Sequence, residues 1–273
     1  MRKNYKKVLT LVITFLLTFV LTLNLINYLY HHNNWVIKLI HSKDKHYSYN
    51  NIEVFFSSDN TSSALQIPKY YDEVRKDLTG ILGEISASEN ENLKIIIFNN
   101  TNEIQKFSGD LESINGFYVS KSKQIGVISP ASLSNDFESW YYVRTFRHEY
   151  THHYLNLYKA KYSIDHIPKW FEEGLAEYTA VELYDNTSWS DPLDKVVSFN
   201  ELNSREEWLN ARKTTDTLYL QSYLAIKYLF DNFSNDVVKD IIILSKSIGF
   251  DKSFKKVTGI SIEDLDQEIL KQD

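Results

Sequence analysis

Residues 147–153 read RHEYTHH, inside a stretch with helical periodicity that runs from Asp136 to about Lys161. Residues four apart on an α-helix stand on one face, so His148 and His152 can turn imidazole nitrogens toward a single metal ion. Glu149 is offset by one position and can reach a water on that metal without ligating it. The chemistry this arrangement offers is metal-assisted hydrolysis, a Lewis acid beside a carboxylate base. In a chain with eight histidines, a chance match to His-Glu-x-x-His is on the order of one in a hundred. His153 lies about 100° further round the helix and reads as a packing or surface residue, not a ligand.

A catalytic zinc needs a third protein ligand and one open position. The chain has no cysteine, so His and carboxylates must supply the ligands. About twenty residues on stands WFEEGLAEY (170–178), on a helix that Pro168 opens and that extends to about Tyr184. A turn through residues 161–167 would set Glu173 beside the His pair, with Glu172 as the competing carboxylate. Gly174, lacking a side chain, would let the two helices approach closely. Glu177 follows Glu173 by one turn and is placed to orient an imidazole N–H from behind.

HEYTH followed by WFEEGLAEY resembles the gluzincin metallopeptidases, as in the catalytic domain of aminopeptidase N and leukotriene A4 hydrolase relatives. Compact bacterial proteins with peptidase-clan-MA-like domains are closer still. The resemblance covers roughly Asn115 to Leu270 and includes YLQSYLAIKYL (219–229) and VTGISIEDLDQEIL (257–270). It implies a thermolysin-like zincin fold, one zinc ion, and the Glu before Gly, Glu173, as third ligand. It also implies an oxyanion-stabilising tyrosine, which falls on Tyr219, with Tyr223 as the alternative one turn on. Glu149 would take a proton from the attacking water and pass it to the leaving amine. The aminopeptidase relatives carry a Gly-x-Met-Glu-Asn segment whose Glu binds the substrate's free amine. The matching region here, NGFYVSKSKQIGVIS, has no acidic residue, which favours an endopeptidase. An extended substrate is expected along a sheet edge, for which the hairpin strand Gln124–Ser129, with Gly126, Val127 and Ile128, is the candidate.

The elements that must position these groups read as α+β. A small mixed sheet with helices (51–135) precedes an all-helical half (136–273). IEVFF (52–56) and LKIIIF (93–98) read as strands and NGFYVSKSKQIGVISP (115–130) as a hairpin. Helices are expected at 68–84, from Thr101 to about Ser108, and at Thr217–Phe233, Asp236–Lys246 and Ile262–Lys271. Ahead of this domain, Val8 to Tyr30 holds 23 residues without a charge, enough to span a bilayer as one transmembrane signal anchor. Arg2, Lys3, Lys6 and Lys7 form a basic tail (1–7) that fixes the N-terminus in the cytoplasm, and 31–50 reads as a juxtamembrane linker. The four histidines of that linker, irregularly spaced, read as part of a solvated stalk.

Without the basic tail the chain has 26 basic against 36 acidic residues, which excludes a nucleic-acid binder built on a basic face. The expected protein is a membrane-anchored, extracytoplasmic zinc metallopeptidase acting on peptide or protein substrates. The alternatives are a catalytically silent zincin-fold domain that binds a peptide or surface partner, and a module whose metal only ties helices together.

Overall fold

A computed structural model describes residues 43–85, 92–108, 115–185, 193 and 195–270. The expected membrane span at 8–30, the basic tail and most of the linker lie outside these residues. Among the described residues no helix is long and apolar enough to cross a membrane.

Five strands build one sheet: β1 (Lys45–Tyr49), β2 (Ile52–Phe56), β3 (Leu93–Phe98), β4 (Gly116–Val119) and β5 (Gln124–Ile128). Their order is β1-β2-β3-β5-β4. β2, β3 and β5 run parallel, while β1 and β4 pair antiparallel at the two edges. The nearly continuous apolar run of β3 is what a parallel strand covered on both faces requires. Ile95 and Ile97 enter the main core, while Ile96 and Phe98 face a smaller cluster with Phe55 and Ile104. Ten helices among the described residues complete the fold. They are α1 (Thr61–Ala64), α2 (Ile67–Leu82), α3 (Thr101–Ser108), α4 (Asp136–Tyr162), α5 (Lys169–Asp185), α6 (Arg205–Ala211), α7 (Leu218–Asn232), α8 (Val237–Ile248), α9 (Phe250–Thr258) and α10 (Ile262–Leu270).

Three departures from the sequence reading concern positions near the site or its tether. The end of the expected linker is strand β1, held by its ladder to β2 and by the Tyr47 hydroxyl donating to the Ala64 carbonyl at 2.5 Å. Strand β5 is not an edge, because Gly126 pairs with Ile96 of β3 on one side and Phe117 of β4 on the other. Gly126, Val127 and Ile128 therefore cannot receive a substrate strand, and the edge on that side is β4. A side chain at Gly126 would also collide with the Phe117 and Phe98 rings, at 2.4 and 2.8 Å from a Cβ. Gly174 does serve a close helix approach, but toward α7: a Cβ there would stand 2.3 Å from the Ser222 carbonyl oxygen.

Helix α4 runs 27 residues, about 40 Å, across the molecule. Its start is fixed by the Asn135 side chain, which accepts from the Glu138 N–H at 3.2 Å. Its end is fixed by Ser163, in the left-handed region at φ 55°, whose N–H returns to the Ala160 carbonyl. Arg147, only 1% exposed, donates to the Thr179 carbonyl at 3.0 Å and to Asp77 at 2.5 Å. One guanidinium thus pins α4 to α5 and α2 in the residue before His148.

Candidate metal centre

Helices α4 and α5 bring His148, His152 and Glu173 together. His148 Nε2 lies 3.2 Å from His152 Nε2 and 3.2 Å from Glu173 Oε2, and His152 Nε2 lies 3.5 Å from Glu173 Oε1. Ligands 2.0–2.1 Å from a tetrahedral zinc stand about 3.4 Å apart, and these separations, taken to one or the other oxygen of Glu173, are of that size, with one ligand atom from each residue within 4.8 Å of the others. Glu173 Oε2 is buried and makes no hydrogen bond, and such an acceptor suits a cation. The donor set, two imidazoles and a carboxylate, is one that zinc takes. The residues therefore fit the metal.

The imidazole of His148 is held from behind. Its Nδ1 stands 3.1 Å from Glu177 Oε1, so the Nδ1–H points at Glu177 and Nε2 is turned toward the cluster. Burial alone would lower the His148 pKa, but Glu177 and Glu173 raise it to about 10. Arg144 donates to the other oxygen of Glu177 at 2.7 Å. Lys169, at the start of α5, pairs with Glu173 Oε1. Burial would raise the Glu173 carboxyl, but Lys169 and the two imidazoles hold it well below the usual range. Glu172, the competing carboxylate, turns instead to Lys159 at 2.8 Å.

Glu149 sits beside the cluster, and burial pushes its carboxyl above the ordinary value against the pull of both histidines. Tyr219 packs edge-on to His148 with ring centroids 6.1 Å apart, and its hydroxyl makes no hydrogen bond to any described residue. Burial raises its pKa far above neutrality, so it remains a proton donor. Tyr223 points elsewhere and donates to Glu182 at 2.5 Å. His153 is buried against Tyr118, away from the cluster.

A family model described as collagenase, from the peptidase family M9, matches residues 46–268. The chain belongs to the collagenase peptidase family. A Bacillus subtilis (strain 168) protein named "Uncharacterized protein YhcO" is 30% identical over 235 residues, covering 82% of this chain and 70% of that one. The family is one of zinc metallopeptidases, which accords with a zincin-type ligand set. These matches show the collagenase family and do not show the finer likeness to the aminopeptidase relatives.

As in any peptidase, the substrate must find room beside the reacting groups, and this collagenase-family chain has a cavity on each side of the cluster along α4. One, about 370 Å³, is lined by Tyr141, Arg144, Thr145, His148, Glu149 and Tyr219 together with Asn115, Gly116, Glu177 and Arg212. The other, about 250 Å³, opens beyond His152, with Asn156, Lys159 and Lys169 among its walls. Edge strand β4 overhangs both, through Gly116 at the first and Tyr118 at the second. A Cβ at Gly116 would lie 2.4 Å from Thr145 Cγ2 and 3.2 Å from Glu149 Cγ, so only glycine lets the strand lie this close to the base. Sequence reasoning missed Gly116, Arg144, Lys169 and Arg212. Two of them carried a signal, since Arg144 precedes His148, and Lys169 precedes Glu173, by one helical turn.

Proposed function

We propose that this protein is a zinc endopeptidase with one zinc held by His148, His152 and Glu173. The observation that carries the reading is the convergence of ligand atoms from His148, His152 and Glu173 within 4.8 Å of one another, with Glu149 beside them. Zinc bound there would lower the pKa of a water toward ~7 and polarise a peptide carbonyl. Glu149, its carboxyl raised by burial, accepts the proton of the attacking water and returns it to the departing amine. The Tyr219 hydroxyl donates to the carbonyl oxygen as negative charge gathers on it. Glu177 keeps His148 in the tautomer that presents Nε2. Edge strand β4, rather than β5, pairs with the extended substrate, because no described strand pairs with its outer side.

Cavities on both sides of the cluster support cleavage within a chain rather than at its end. We further propose that Val8–Tyr30 anchors the protein with its N-terminus in the cytoplasm and the peptidase domain outside. The test is metal content and peptide cleavage by the purified protein. One zinc per chain is expected, lost in His152→Ala. Cleavage of an internally quenched peptide library should stop with a chelator and fall about 10²–10⁴-fold in Glu149→Gln. Undiminished cleavage by Glu149→Gln would sink the reading.

A further inference from the structure

Four cations line the two cavities: Arg144 and Arg212 in the first, Lys159 and Lys169 in the second. Three have carboxylate partners, Glu177, Glu172 and Glu173 respectively for Arg144, Lys159 and Lys169. Arg212 is the exception among the described residues: its guanidinium makes no ion pair or hydrogen bond and lies 5.6 Å over the Tyr219 ring. Its place is built rather than accidental. Arg212 caps the C-terminus of α6, its N–H donating to the Trp208 carbonyl at 3.0 Å. Buried Trp208 packs edge-on to Tyr219 at 5.3 Å, and Tyr219 packs on His148. Arg212, exposed to solvent on its outer side, thereby has its backbone set at the wall of the cavity that holds Glu149, with its guanidinium resting on the Tyr219 ring.

The chemistry of proton return says which part of a substrate enters that cavity. Glu149 must reach the leaving amine, so the residue that carries this amine lies on the Glu149 side, toward Thr145, Tyr141 and Arg212. A guanidinium offers planar, paired donors that match a carboxylate. We propose that Arg212 selects a carboxylate on the leaving-group side of the scissile bond. That carboxylate is either an Asp or Glu side chain of the residue after the bond or the terminal carboxylate of a short leaving fragment. The inference rests on the peptidase reading for the direction of the substrate.

The test compares peptides that are alike except after the scissile bond. One pair carries Glu or Gln there, acetylated and amidated at the ends, and a second pair carries Gln with a free or an amidated C-terminus. Wild type should favour the carboxylate member of at least one pair by about tenfold in kcat/KM, chiefly through KM. The first pair reports a side chain and the second a chain terminus. Arg212→Gln should bring that ratio close to one, and Arg212→Glu should reverse the first pair's preference toward Gln. If Arg212→Gln lowers both members equally and keeps the ratio, Arg212 only braces Tyr219 and the proposal falls. Binding of the same peptides to Glu149→Gln, read by fluorescence anisotropy, separates the two readings. Carboxylate preference in binding without turnover in wild type would retain the Arg212 site and discard the peptidase. Equal binding of both members of each pair would discard the Arg212 site.

Discussion

Glu177 offers no ligand atom to the cluster, yet His148 depends on it for its tautomer and Arg144 for its charge partner. Replacing it by Gln should leave the fold intact and weaken zinc binding about 10–100-fold, measured by competition with a chromogenic chelator. Unchanged affinity would mean that His148 is oriented by packing alone. At this scale the site was largely legible. The i,i+4 rule places His148 with His152, and the same spacing stacks Glu177 on Glu173. Glu172 could not be set aside from sequence, because a one-residue difference in helix phase depends on how α5 rolls against α4. Arg212 was out of reach for another reason. It shares a cavity wall with Glu149 across 63 residues of chain, and no local pattern encodes such a neighbourhood.

At the scale of elements, close approach of backbones does much of the positioning. Gly174→Ala should destabilise the protein by about 3 kcal/mol, because the new methyl would meet the Ser222 carbonyl oxygen, which has nowhere to move. Gly80→Ala in α2 should do the reverse, adding about 0.5–1 kcal/mol, since nothing lies within 4 Å of its Cβ. Chemical denaturation of the two variants checks both signs. Helix positions were read well from periodicity, α4 and α5 to within a residue or two. Sheet order was not. A hairpin sequence is symmetric with respect to which strand joins the sheet interior, and parallel pairing of β5 with β3 decided it. The short helices α1, α6 and α9 were missed; Gly249 and Gly259, both at positive φ, bracket α9.

For the whole molecule, the collagenase-family match begins at His46, one residue into β1, so the family fold takes in a strand that composition had assigned to a stalk. A chain begun at Lys43 should therefore melt cooperatively and remain soluble. One begun at Asn51 should melt several degrees lower and aggregate, because β2 would then present an unpaired, apolar edge. Equal melting temperatures would show β1 to be dispensable. The same strand sets how far the protein can roam. If Tyr30 ends the proposed anchor, only 14 residues separate it from Lys45, at most about 50 Å of fully extended chain. On that proposal β1 would be the collar of a short leash, and cleavage would be confined to whatever passes within one protein diameter or so of the bilayer.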